Sequence, residues 1–345
     1  MKSVNLFKKT FAMALILSAI VFVFFWANME IVSSGEAQGI PLKVKNKLCY
    51  ENFKDERNHL NKTSDLKMIY FVTPTYPRPA QVPELTRLAH TLMHVPRIHW
   101  IVADDQPICS DIVLEILKRS GLPYTHISSP KPFAYKEKNF PRGVSNRRAA
   151  LGWLRDNVRE GVLYFGDDDN TIDLKLFDEI RQTKKVSMFP VGLIGSYGVS
   201  TPIVKDGKVV AFFDSWHGSR TYPVDMAGFA INIEYLKPSA SMPYIAGHEE
   251  DRFLVSLGLT LNDIEPLASN CSKVLVWHTK TAPYKKPSLR IDVDQIDITS
   301  PKYDYFVNLL KETSRLGMAS VFPDNGSKTY IIRDRRKYET LSGLS

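Results

Sequence analysis

Residues 162–170, Val-Leu-Tyr-Phe-Gly-Asp-Asp-Asp-Asn, constrain this chain more than any other segment: an apolar run with strand character passes directly into three carboxylates. A strand buried by its side chains places the residues at its C-terminal end on the edge of a sheet, where open α/β folds bind their ligands. Three adjacent carboxylates repel one another unless a cation is present, and hard oxygen donors of this type suit Mg2+ or Mn2+. The implied guest is a metal-bound diphosphate.

The residues upstream supply a sheet for that strand to join. Residues 67–73 read as a strand ending at Pro74-Thr-Tyr-Pro77, followed by a helix with Leu85, Leu88 and Leu92 at helical spacing. A second strand, 98–102, ends in Asp104-Asp105; Ile112, Ile116 and Leu117 mark another helix, and 124–127 a short third strand. This βαβαβ series predicts a mostly parallel sheet whose strand ends at 74–76, Asp105 and 167–169 converge. Such convergence forms a nucleotide pocket in which Tyr76 stacks on the base and Asp105 accepts from base or ribose. Ser145 suits a helix N-cap, after which Arg147, Leu151 and Leu154 share one face while Arg148 and Arg155 point elsewhere. An arginine on an apolar face needs an anionic partner, so Arg142 and Arg147 are candidates for a diphosphate or a substrate carboxylate.

In the second half, residues 225–231 enter an apolar strand, preceded by a loop with Trp216 and Arg220. Flat aromatic faces mixed with polar groups are what sugars bind. A helix opens at Gly247-His-Glu-Glu-Asp, where Glu249 and Asp251 suit the first turn electrostatically. Glu250 instead shares a face with Leu254 and Leu257, pointing inward, where desolvation lifts a carboxylate toward the range of a general base. Residues 273–280 read as a buried strand carrying His278 near its end.

The N-terminus sets a compartment. From Phe11 to Ala27 the chain is uninterruptedly apolar or small, with Lys2, Lys8 and Lys9 before it and Glu30 and Glu36 after it. The positive-inside rule makes residues 1–10 a cytosolic tail and 11–27 a signal anchor, with 28–65 a polar stem. At about 1.5 Å per residue the run spans about 25 Å, matching a thin early-secretory bilayer and hence a Golgi or endoplasmic-reticulum anchor. Sequons at Asn61, Asn270 and Asn325 agree with lumenal exposure. The net charge of +8 comes from scattered Lys and Arg without a basic helix or zinc knuckle, which argues against nucleic acid and for anionic ligands and membrane surfaces. Three cysteines, Cys49, Cys109 and Cys271, are too few for a disulfide framework; Cys49 could bridge two chains, although a buried free thiol is the commoner fate.

These segments together resemble the Golgi β1,3-glucuronyltransferases. The resemblance is carried by Phe71-Val-Thr-Pro-Thr-Tyr76, Pro141-Arg-Gly-Val144 with Arg147, Tyr164-Phe-Gly-Asp-Asp-Asp-Asn170, Pro223-Val-Asp-Met-Ala-Gly-Phe229, Gly247-His-Glu-Glu250 and Asn270-Cys-Ser-Lys-Val-Leu-Val-Trp-His-Thr279, in the family's order over roughly residues 66–285. It implies an α/β fold of the GT-A type, a Rossmann-like nucleotide-sugar fold with a mixed central sheet, preceded by one transmembrane helix. The implied reaction moves glucuronic acid from UDP-glucuronate to a terminal galactose with inversion, in a type II Golgi membrane protein expected to be a homodimer. In that reading Pro74, Tyr76 and Asp105 hold the uridine, Asp168 the ribose and Asp169 the Mn2+ bridging the diphosphate. Arg142, Arg147, His278 and Lys280 contact the donor, with Asp167 and His278 near its sugar. Glu250 is the base, and Trp216, Arg220 and Asp225 line the acceptor site. Residues 66–170 would then bind UDP-sugar, 171–285 the acceptor, and 286–345 form a tail of unknown role.

Three positions depart from the family pattern. Ser200 stands where a glutamate usually faces the acceptor, Ala246 replaces an arginine four residues before the base, and Lys280 replaces an arginine, losing the planar fork. The alternative to an enzyme is a binding protein on the same fold that holds UDP-sugar or glycan without turnover.

Overall fold

The computed structural model describes residues 46–57, 65–135, 141–279, 287–290, 304–315, 319–322 and 326–338. The signal-anchor run, Asn61, Asn325 and Lys280 lie outside them, and no described helix is long and apolar enough to cross a membrane. After an unexpected strand β1 (Lys47–Asn52), the first half matches the expected series: strand β2 (Ile69–Thr75), helix α1 (Gln81–Leu92), strand β3 (Ile98–Asp104), helix α2 (Asp111–Ser120), strand β4 (Tyr124–Ser128), helix α3 (Val144–Asn157) and strand β5 (Val162–Phe165). β2 lies between β3 and β5 and is parallel to both, and β4 continues the parallel set beyond β3. Three more strands, 229–232, 186–188 and 264–266, extend an eight-stranded sheet past β5, the first antiparallel to its neighbours, so the sheet is mixed. The ranges read as donor and acceptor subdomains therefore share one sheet.

Strand alternation sends side chains into two cores. Val72 and Ile101 meet Leu151 and Leu154 of α3 on one face; Phe71 and Trp100 meet Leu85 and Leu88 of α1 and Leu117 of α2 on the other. Each fully buried side chain of this size contributes about 1.5–3 kcal/mol. On α2 the inward apolar residues are Val113, Leu114, Ile116 and Leu117, while Ile112 is exposed.

Two readings of the N-terminal segment change. Residues 47–52, assigned to the stem, form β1, an edge strand antiparallel to β4. Its residues are mostly solvent-facing, so it lacks the apolar alternation that betrays a strand. Cys49 bonds to Cys109 within the chain rather than to a second chain, because β1 runs beside the loop leading into α2; Cys271 is free and buried.

The tail is part of the fold. A second, seven-stranded sheet includes 199–205, 208–213 and the hairpin 331–333/336–338. Helix 304–315 packs Phe306 and Leu309 against Phe213, Tyr197 and Val199 in a third core.

Candidate active site

At the C-terminal edge of the parallel strands lies a cavity of about 480 Å3. β2 delivers Pro74 and Tyr76, the end of β3 delivers Asp105, and β5 delivers Asp167, Asp168 and Asp169. Glycine permits this delivery: a Cβ at Gly166 would come within 2.1 Å of the Phe71 ring, so only glycine lets β5 turn there into the carboxylates. Asp104 points into the protein and is buried, its carboxyl pushed up to about 7 by desolvation above all, whereas Asp105 Oδ1 accepts from the Lys131 amide at 2.6 Å.

The cap of α3 is Gly143 rather than Ser145. Gly143 has φ 75°, and a Cβ there would approach Arg147 Nη1 to 2.5 Å, so the glycine both starts the helix and clears a path for the guanidinium. Arg147 then reaches the cavity from the buried face, as expected, and pairs with Asp167. Arg142 Nη1 donates to the Tyr76 hydroxyl at 3.0 Å.

Arg78 adds a residue that the sequence pattern does not single out. It donates to both oxygens of Asp168, at 2.8 and 2.7 Å, pairs with Glu84, and lies 4.6 Å from the centre of the Tyr76 ring. Asp168 also accepts from Thr75 at 2.7 Å and is buried. Arg78 thus ties the middle carboxylate to the aromatic platform; its signal, an arginine in a proline-rich turn, has no periodicity to read.

Asp167, Asp169 and His278 converge, each offering a ligand atom within 4.8 Å of the others. Desolvation chiefly, and then Asp167, push the Asp169 carboxyl up to about 6. Carboxylates and a neutral imidazole are both ligands of divalent metals, so these residues fit a divalent cation. His278 Nδ1 lies 3.4 Å from Asp225 Oδ2. Burial works against protonation of His278, but the bond to Asp225 and the nearby acids raise it to about 9.

Asp225 also opens onto a second cavity of about 250 Å3, lined by Trp216, Arg220, Asp214, Gly247, Glu249 and Glu250 among others. The two cavities therefore adjoin at the His278–Asp225 contact. Glu250 is the second residue of helix 249–256, with Leu254 and, just past the helix end, Leu257 buried on its face. Its carboxyl is pushed up to about 8, first by desolvation and then by Glu249 and Asp225. Trp216 is exposed, a flat face at the mouth. Arg220 is committed inward: it donates to Asp214 at 2.7 Å and to the Trp216 carbonyl, bracing the loop. Asp251 lies in the first turn of that helix, where it was expected, and its carboxylate also accepts from the amides of Thr221 and Tyr222 at 2.6 and 2.8 Å.

The sequence profile of glycosyltransferase family 43 matches residues 88–282. The chain belongs to this family. Among curated relatives, galactosylgalactosylxylosylprotein 3-beta-glucuronosyltransferase S of Drosophila melanogaster is 51% identical over 306 residues, 86% of this chain and 74% of that protein. The P form of that organism is 50% identical over 62% of this chain and 46% of its own length. The corresponding enzyme 2 of Mus musculus is 41% identical over 72% and 80%. Of solved structures, the mannosyltransferase PcManGT from Pyrobaculum calidifontis in complex with GDP-Man and Mn2+ aligns with a TM-score of 0.42 at 11% identity, covering 75% of this chain and 70% of that one.

Within this glycosyltransferase, Pro74, Tyr76, Asp105, Arg142, Arg147, Asp167, Asp168, Asp169 and His278 share the first cavity, and Trp216, Arg220, Asp225 and Glu250 the second. Ser200 is buried on strand 199–205 and Ala246 is exposed; neither is among the residues lining the second cavity. Asn270, the one sequon asparagine described, is half-buried at φ 54° in a left-handed turn.

Proposed function

We propose that the chain transfers glucuronic acid from UDP-glucuronate to the 3-position of a terminal β-galactose, with inversion, as a Golgi lumenal enzyme. The observation that carries this reading is the junction of a cationic and carboxylate-lined cavity with a second cavity holding Glu250, joined at His278 and Asp225. The names of the relatives supply the donor and acceptor classes.

In this reading Tyr76 and Asp105 hold the uracil end, Asp168 the ribose, and Arg142 and Arg147 balance the diphosphate. His278, its ring oriented by the contact of Nδ1 with Asp225, faces the uronate. Ionised Glu250 takes the proton of the galactose 3-hydroxyl as its oxygen bonds to the anomeric carbon; the bond to the phosphate oxygen breaks on the opposite face, and its electron pair leaves with UDP. A divalent cation, for which we propose Mn2+, would be held by Asp167, Asp169 and His278 and would neutralise the charge of the departing diphosphate. The disulfide Cys49–Cys109 supports an oxidising, secretory compartment, as does the apolar run at residues 11–27.

The test is transfer from UDP-glucuronate to a panel of β-galactosides with Mn2+ or with chelator. Glucuronylated product in Mn2+ only, and none from Asp169→Ala, is expected. UDP-sugar affinity without product from any galactoside would favour a binding protein on this fold.

A further inference from the structure

The cation site draws its ligands from two separate segments, which the fold must hold at a fixed spacing. Asp167 and Asp169 belong to one turn, and that turn is closed on itself: the Asn170 amide donates to the Asp167 carbonyl at 3.0 Å, and the Asp167 amide to Asn170 Oδ1 at 2.9 Å. His278 comes from elsewhere. It follows strand Val276–Trp277, whose antiparallel partner Thr171–Ile172 follows the turn. This ladder pairs Val276 with Ile172 and Trp277 with Thr171, and so stops short of both Asp169 and His278.

A side chain takes over where the ladder ends. Continued by two residues, its register sets Thr279 opposite Asp169. There the Thr279 hydroxyl donates to the Asp169 carbonyl, across a sequence separation of 110. A hydroxyl has one proton to give, so Thr171 Oγ1, 3.0 Å away, donates to Thr279 Oγ1 rather than accepting from it. The Asp169 carbonyl has a second lone pair, which Arg87 Nη2 of α1 meets at 3.3 Å. The His278 amide donates in turn to the Gly192 carbonyl at 2.9 Å, which fixes the backbone that carries the imidazole. Thr279 thus joins the backbone of one ligand to the chain neighbour of another.

We propose that Thr279 is a positioning residue for the cation site, its hydroxyl holding Asp169 at the separation from His278 that one ion can span. The inference rests on the cation reading above and adds to it the residue that sets the spacing. Hydrogen bonds behind the ligands of a metal are worth about 10–100-fold in affinity. Valine in place of Thr279 removes this bond while keeping the branched shape of the side chain.

The experiment titrates Mn2+ into the full chain and reads the free ion by electron paramagnetic resonance, for wild type, Thr279→Val and Thr279→Ser. Valine should raise the Mn2+ Kd by about tenfold or more, whereas serine, which keeps the hydroxyl, should stay within about threefold of wild type. Should valine prevent folding, Thr279→Ala makes the same comparison against serine. UDP affinity and unfolding temperature, both measured in chelator, should change little in any of these variants, which separates placement of the ligands from a general loss of structure. A valine variant that binds Mn2+ as tightly as wild type, a serine variant as weak as valine, or a metal-free UDP affinity that falls as far as the Mn2+ affinity overturns the role. A wild-type chain that binds no Mn2+ overturns the cation reading itself, and this role with it; equal binding by wild type and valine overturns the role alone.

Discussion

Glu250 carries the largest burden of any single residue. Its proton affinity is raised by desolvation first, to about 8, so in the free enzyme much of it is protonated at neutral pH and cannot act as a base. Only the ionised form accepts a proton, so kcat/KM should rise with pH through about 8 and level off above it. Glu250→Gln should lower turnover by about two or more orders of magnitude, erase that ascending limb and leave UDP binding intact; an unchanged profile would move the base elsewhere. Arg78 makes a different prediction. Arg78→Lys keeps the charge but loses the fork that meets both oxygens of Asp168, so the donor KM should rise about tenfold with a smaller change in kcat. Equal donor KM in mutant and wild type would mean that Asp168 needs no clamp. These two residues mark what is legible at this scale: Glu250 shows in the sequence through its helical face, whereas the contact between Arg78 and Asp168 joins positions far apart in the chain and leaves no local pattern.

At the scale of elements, legibility tracks burial. β2, β3 and β5 announce themselves because both faces are covered and apolar residues predominate along them. β1 escapes because an exposed edge strand needs no apolar period, and within 273–280, read as one strand, the described residues form a strand at Val276–Trp277. Ser145 is the better chemical cap, but the positive φ that brings Arg147 into the cavity requires Gly143. β1 yields a prediction of its own. Its disulfide closes a loop with a sequence separation of 60, which the loop-entropy relation values at about 4 kcal/mol. Cys109→Ser should therefore lower the unfolding temperature measurably under oxidising conditions, with no effect under reducing ones. A Tm unaffected in both would show that β1 is held by its pairing with β4 alone.

For the whole molecule, the decisive feature of the proposed reading is that the two sheets meet where the cavities adjoin: Asp225 precedes strand 229–232 of the eight-stranded sheet, whereas Asp214 follows strand 208–213 and His278 strand 276–277 of the seven-stranded one. The parallel half opens the first cavity at its edge; the antiparallel strand 229–232 comes after the turn that sets Asp225 beside His278 and brings the second cavity next to it. That juxtaposition could not be read from spacing, since His278 and Asp225 are separated by 53 residues. It constrains stereochemistry, because an acceptor hydroxyl deprotonated by a base in the second cavity attacks the anomeric carbon from the side opposite the diphosphate. The most direct test is the anomeric configuration of the product formed from UDP-α-glucuronate and a β-galactoside in Mn2+, read by proton NMR. A new β-linked glucuronate on the galactose 3-oxygen, with the large coupling of a β anomer, is predicted; an α linkage, or release of free glucuronate without transfer, would contradict the account.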